Sequence, residues 1–292
     1  MKLRFGLLGT GFWADTVHAA GLASHPGVEL AGVWGRDAAK AAAVAQHHGT
    51  TAEPELGALL DRVDAVSIAV APDVQAELAC AAAGTGCHLL LEKPLALSSD
   101  DAERVVAACN RSGVASLVFF TARFAEPTAS WFRDVVAPGE WDGGALTLLA
   151  SIFDPENPFG RSPWRRERGA LWDVGPHALA SLAPALGPVE DVAGVRGRGD
   201  TVHLALAHAG GRASSVTLSL TVPERAVQSE LVLWGPGGVT HAPPGDGSVA
   251  DAYARAITEL LASVETGLPH ACDARFGADV VRTLAAAERF LG

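Results

Sequence analysis

Short apolar runs alternate with helical stretches along the first 120 residues. Leu3–Leu8, Val28–Trp34, Asp64–Val70, Cys87–Leu91 and Ala115–Phe120 are strand-length runs. Between them lie helix-like stretches: Trp13–Ala23, an alanine-rich Asp37–His48, Asp73–Ala83 closed by Gly84, and Ser98–Asn110 with Ser and Asp at its start. Runs this apolar predict strands covered on both faces, as parallel strands under helices are. Their alternation with helices predicts an α/β fold with a doubly wound parallel sheet.

The pattern changes near Thr121. Pro127–Val136 reads as a short helix and Gly143–Phe153 as a strand. Asn157–Arg168 reads as a polar loop containing Pro and Arg, and Leu171–Leu182 as a helix ended by Pro184. Val189–Arg196, Thr201–Ala207, Ala213–Leu220 and Ser229–Trp234 are short strands between Gly-rich or polar turns, which predicts an antiparallel sheet. Pro243–Gly247 is a loop, followed by helices Val249–Val264 and Phe276–Phe290. The predicted division is an α/β domain of residues 1–120 and an α+β domain of residues 121–292.

Composition narrows the class. With 49% hydrophobic and 19% charged residues, the chain reads as an ordinary globular protein. Its net charge of -11 argues against nucleic acid as a partner, because phosphate contacts need clustered Lys and Arg. No apolar run is long enough for a membrane span, and Met1-Lys2-Leu3-Arg4 leads into a strand pattern rather than a secretory signal. Cys80, Cys87, Cys109 and Cys272 lack metal-ligand spacing, so they are expected as free thiols in a cytoplasmic protein, with no metal.

Five stretches carry candidate chemistry. Gly9-Thr10-Gly11-Phe12-Trp13-Ala14 closes the first strand and opens a helix, the G-x-G-x-x-A pattern of a Rossmann dinucleotide turn. Gly9 makes the tight turn, Gly11 admits a pyrophosphate, Ala14 allows close helix–strand packing, and the helix N-terminus offers N–H groups. Glu92-Lys93-Pro94 stands at the carboxyl end of a strand, where α/β sheets place ligands. Lys93 is a candidate donor to a substrate oxygen, or simply a surface lysine beside a turn. Asp173 and His177 lie four apart; on one helix face the carboxylate would orient the imidazole as a base, although Gly175-Pro176 also allows Asp173 to be a cap. Trp164-Arg165 and Arg123 either approach a cofactor or belong to solvated loops.

In this order the motifs resemble one family, the glucose–fructose oxidoreductase, inositol dehydrogenase and rhizopine catabolism (Gfo/Idh/MocA) oxidoreductases, over essentially the whole chain. The resemblance rests on the glycine turn, Ala71-Pro72-Asp73-Val74-Gln75, Glu92-Lys93-Pro94, Arg123-Phe124, Trp164-Arg165 and Asp173-x-x-x-His177. It implies an N-terminal Rossmann domain and a C-terminal α+β domain with a large, mainly antiparallel open sheet that often forms a homo-oligomer interface, in a dimer or tetramer. It assigns Lys93 to the substrate and nicotinamide, with Asp173 and His177 beside the reacting carbon. Glu92, Arg123, Trp164 and Arg165 fall near the cofactor. Ala71, Pro72 and Gln75 fall in a cofactor-contacting loop, where many members carry histidine in place of Gln75.

The implied reaction is reversible hydride transfer between a nicotinamide cofactor and a sugar, polyol, cyclitol or related secondary alcohol or ketone. Two other readings share these motifs: a catalytically silent dinucleotide-binding regulator, and a lyase or glycosidase that holds NAD(P) for transient oxidation. Cofactor choice falls on Trp34-Gly35-Arg36-Asp37 after the second strand. Gly35 stands where an acid would hold ribose hydroxyls, and Arg36 follows, which favours NADP over NAD. Trp34 is placed to flank the adenine.

Overall fold

The computed structural model describes residues 2–154, 157–245 and 247–291. The chain divides into two compact units, Met1–Phe124 with Ser248–Ala278, and Ala125–Gly247 with Asp279–Gly292. The expected second domain ran without interruption from residue 121; instead the chain returns to the first unit at Ser248. The sequence of the returning helix explains this. Val249–Thr266 buries Ala252, Tyr253, Ala256, Ile257 and Leu260, one helical stripe, within the first unit.

The first unit holds a parallel sheet of five strands: β1 (Leu3–Leu8), β2 (Val28–Trp34), β3 (Ala65–Ile68), β4 (His88–Leu91) and β5 (Ser116–Val118), in the order β2-β1-β3-β4-β5. β3 and β5 are wholly buried, as strands covered on both faces must be. A single parallel bridge from Val33 to Ala52 adds a rudimentary strand beyond β2, where Val33 N–H donates to Thr51 O and Glu53 N–H to Val33 O, both at 2.9 Å. With that bridge counted as a strand, the order is that of a dinucleotide-binding sheet. Helices Ala38–His47 and Ser99–Ser112 begin where Asp37 and Ser98 side chains accept from backbone N–H groups of Lys40 and Asp101. A short helix, Leu56–Leu60, falls between β2 and β3 and had no clear periodicity in the sequence.

The second unit is built on a six-stranded sheet. Its strands are β6 (Gly143–Leu149), β7 (Val189–Arg196), β8 (Val202–His208), β9 (Arg212–Ser219), β10 (Gln228–Gly235) and β11 (Gly238–His241), in the order β11-β10-β6-β9-β8-β7. Only the β6–β9 pairing is parallel. β8 alternates buried and exposed residues along its length, so one face of the sheet is packed. Leu204, Leu206, Val216 and Leu218 from the sheet and Leu179, Leu182 and Leu284 from helices are buried in this unit.

Two expectations in this unit change. Residues 157–168 are not a loop: Pro158–Arg161 is a 3-10 turn and Pro163 starts a helix, Pro163–Asp173. Proline suits the first helical position, where its missing N–H costs nothing. That helix is interrupted at Gly169 (φ 63°). The second change concerns Leu171–Leu182, which is the end of one helix and most of another, Gly175–Leu186, joined at Val174. Pro184 does not stop the second helix, because it removes one N–H near its end; the chain turns at Gly187, φ 86°. β11 escaped the sequence reading because it is only four residues long.

Candidate active site

The first unit assembles a nucleotide-type turn at the point where its strand order reverses. β1 and β3 are neighbours, and Gly9 follows directly on β1. Gly9 has φ 135°, and a Cβ there would collide with the Ala69 carbonyl oxygen. The fold itself therefore requires this glycine. Gly11 differs, since a Cβ on it would meet nothing within 4 Å. The protein's own packing does not need Gly11; the space in front of it is open for a ligand. Asp15 N–H donates to Gly11 O at 3.0 Å, so helical winding begins at the turn and leaves first-turn N–H groups facing outward. This glycine geometry and donor set fit a dinucleotide pyrophosphate.

Around that turn, Ala14 is fully buried, Trp13 is half-buried and the Phe12 side chain is exposed. A Cβ on Gly35 would stand 2.5 Å from Thr10 Cγ2, so a side chain at position 35 requires Thr10 to move. Arg36 is exposed, Trp34 is half-buried, and Asp37 is engaged as a helix cap through Lys40 N–H at 3.1 Å.

The Glu92-Lys93-Pro94 turn follows β4 and is held from within. Gln75, 1% exposed, donates through Nε2 to Glu92 O at 2.7 Å, Pro94 O at 3.0 Å and Leu95 O at 3.2 Å. Its Oε1 accepts from Glu92 N–H at 2.9 Å. The amide expected to contact a cofactor is thus spent on the backbone around Lys93. Ala71 and Pro72 begin the helix Pro72–Gly84 that carries Gln75. The Lys93–Pro94 peptide is cis, and Lys93 is half-buried.

Glu92 is also committed. Its Oε1 accepts from Trp13 Nε1 at 2.8 Å and lies 3.0 Å from His18 Nε2, while Oε2 accepts from Lys93 N–H at 3.1 Å. His18 Nδ1 lies 2.7 Å from Ser67 Oγ and 3.1 Å from Tyr253 OH, which is itself 2.6 Å from Ser67 Oγ. A neutral His18 donating to Glu92 satisfies this set if Tyr253 donates to Ser67 and Ser67 to His18 Nδ1. His18, Ser67 and Tyr253 are completely buried. Burial pushes the Tyr253 phenol far above its usual range, so it remains a donor. These three residues were not singled out from the sequence. The available signal was a polar residue on an apolar stripe: His18 beside Ala14 and Val17, Ser67 within β3, and the chain's one tyrosine on the returning helix.

In the second unit, Asp173 ends one helix and His177 lies in the first turn of the next, so they do not share a continuous helix. Asp173 is 6% exposed and accepts from Arg165 Nε at 3.0 Å. The Arg165 guanidinium lies over the Trp164 ring at 4.8 Å and the Phe159 ring at 5.5 Å, which fixes its direction. His177 is half-buried, and its carbonyl accepts from Ser181 Oγ at 2.8 Å. Trp164, Arg165 and Asp173 therefore form one cluster. Arg123 closes a 3-10 turn, Thr121–Arg123, at the end of the first unit's leading segment. Among the described residues, no helix is long and apolar enough to cross a membrane.

Comparison with known proteins agrees with this architecture. Residues 3–120 match a family described as "Oxidoreductase family, NAD-binding Rossmann fold". A dTDP-3,4-didehydro-2,6-dideoxy-alpha-D-glucose 3-reductase of Streptomyces antibioticus is 31% identical over 81% of this chain and 74% of its own. A D-xylose 1-dehydrogenase (NADP(+)) of Haloferax volcanii is 34% identical over 65% of this chain and 59% of its own. The crystal structure of a UDP-N-acetylglucosamine 3-dehydrogenase from Acidithiobacillus ferrooxidans superposes over 100% of both chains with a TM-score of 0.84, at 22% identity.

Proposed function

The chain belongs to the Gfo/Idh/MocA family of NAD(P)-dependent dehydrogenases and reductases, and from that premise we propose that it acts on a secondary alcohol or ketone of a sugar, polyol or cyclitol. The open space at Gly11, in the same unit as a lysine turn held by buried side chains, carries this reading. The Gly9–Ala14 turn would hold the cofactor's pyrophosphate through first-turn N–H groups. Arg36 is exposed directly after Gly35, where no acid stands to hold ribose hydroxyls, and this favours a cofactor with a 2′-phosphate, hence NADP ahead of NAD. When bound, the nicotinamide supplies the hydride acceptor or donor.

The protein's own groups handle charge and proton. Lys93 stabilises negative charge developing on the substrate oxygen. His177 takes the hydroxyl proton in the oxidative direction and returns it in the reductive one. Asp173, paired with Arg165, has the positioning role for His177 in this proposal. Glu92 and Gln75 hold the Lys93 backbone. Sugar-linked names among the relatives support the substrate class. The open sheet of the second unit exposes Val195, Trp234 and Val239, which suits a homo-oligomer interface.

The test is a nicotinamide absorbance assay with NADH and NADPH in parallel against sugars, polyols and their keto forms. Lys93→Met and His177→Ala are expected to lower turnover by orders of magnitude while leaving the cofactor Kd, read by tryptophan quenching, nearly unchanged. Full turnover in either variant refutes that residue's role, and no turnover by the parent chain on any of the panel refutes the substrate class.

A further inference from the structure

We propose that Asp15, His47 and His48 form a site for one divalent transition-metal ion of the Zn2+ type, on the nucleotide-binding unit. The sequence separates Asp15 from the histidine pair; the fold brings them together. Asp15 lies in the first turns of the helix that follows the glycine turn, and His47 and His48 end the helix Ala38–His47.

The geometry is convergent. Asp15 Oδ1 lies 3.0 Å from His47 Nδ1 and 2.7 Å from His48 Nε2. One ligand atom from each of the three residues falls within 4.8 Å of the other two. Consecutive residues seldom aim both rings at one point. Here they do, because His47 offers its near nitrogen and His48 its far one. The ring centroids are 4.4 Å apart and the planes are inclined by 41°. Ligands at about 2.0–2.2 Å from a tetrahedral ion stand roughly 3.3 Å from one another. The two Asp15 contacts are already close to that spacing. His47, 66% exposed, can rotate to complete it, while His48, 10% exposed, is fixed.

The donor set selects the ion. Two imidazoles and one carboxylate suit Zn2+, Ni2+ or Cu2+ and disfavour Mg2+ and Ca2+, which take oxygen ligands. Without an ion, both imidazoles must spend an N–H on one carboxylate oxygen. On binding an ion, each imidazole carries its proton on its other ring nitrogen, and the freed lone pairs of His47 Nδ1 and His48 Nε2 face the metal beside the Asp15 carboxylate. Three protein ligands leave a position for water. The bound ion ties the helix after the glycine turn to the end of the following helix, and so stabilises the nucleotide-binding unit.

The experiment uses the full, metal-free chain, titrated with Zn2+ in competition with a chromogenic chelator, and with Co2+ followed by absorption. The expected result is one equivalent bound in the micromolar range, with Co2+ bands of a nitrogen–oxygen site and no thiolate charge-transfer band. His48→Ala, His47→Ala and Asp15→Asn each weaken binding at least about tenfold. Zn2+ raises the Tm of the parent chain by several degrees and leaves the His47→Ala/His48→Ala variant unmoved. Circular dichroism of each variant checks that it is folded. His47→Ala alters an exposed side chain and serves as the test if Asp15→Asn or His48→Ala unfolds. Absence of saturable binding below millimolar Zn2+, undiminished binding in the double variant, or a thiolate band from Co2+ would each overturn the proposal.

Discussion

Replacing Gln75 by methionine keeps the side-chain volume and removes its hydrogen bonding. In the structure the amide supplies two N–H hydrogens to the carbonyls of Glu92, Pro94 and Leu95, and accepts one from Glu92 N–H. With Gln75 1% exposed, no solvent replaces the lost partner. Three bonds at about 1 kcal/mol each give a loss of ~3 kcal/mol, and more if the stranded backbone groups carry their full desolvation cost. For a chain of this size that lowers Tm by roughly 6–12 °C. Lys93 is in the same turn, so kcat falls as well, while the Gly9–Ala14 turn is untouched and the cofactor Kd is unchanged. Urea or thermal unfolding by circular dichroism, a turnover assay and a cofactor titration separate these effects. A Gln75→Met protein with parental Tm and weakened cofactor binding would refute the reasoning, because it would mean that the amide serves the cofactor and not the turn.

Two further outcomes follow from packing. Gly9→Ala forces a side chain into φ 135° and against Ala69 O, costing about 1–3 kcal/mol in backbone strain before the collision is counted, whereas Gly11→Ala leaves Tm nearly unchanged and weakens cofactor binding; paired melting curves and cofactor titrations check this. Burial raises the thiol pKa of Cys80, Cys87 and Cys109, the last to about 11, so native protein at neutral pH should react slowly with an aromatic disulfide while all four thiols react in denaturant.

Much of the first unit was legible because its signals are local. Runs such as Ala65–Ile68 and His88–Leu91 are short, apolar and bounded by turn or cap residues, and the glycine turn states its own constraint at Gly9. The region from Asn157 to Leu186 read poorly. Pro163 and Pro184 look like breaks in a one-dimensional pattern, yet one starts a helix and the other sits near a helix end where little bonding is lost. The sequence shows Gln75 only as a polar residue in the Ala71–Gln75 motif; the use of its amide depends on the path of residues 92–95.

The sequence by itself determined the parallel α/β unit, the mainly antiparallel second sheet and the glycine turn that follows β1. Periodicity, turn residues and short motifs act over a few positions, and a few positions suffice to read them. Only the tertiary structure decided that Ser248–Ala278 returns to the first unit, that Glu92 is held by Trp13 and His18 above a buried Ser67–Tyr253 pair, that Arg165 engages Asp173, and that Asp15 meets His47 and His48. Each of these depends on a side chain finding a partner that satisfies its charge or hydrogen bond, often many residues away. That requirement is set by burial and geometry, which no local pattern encodes.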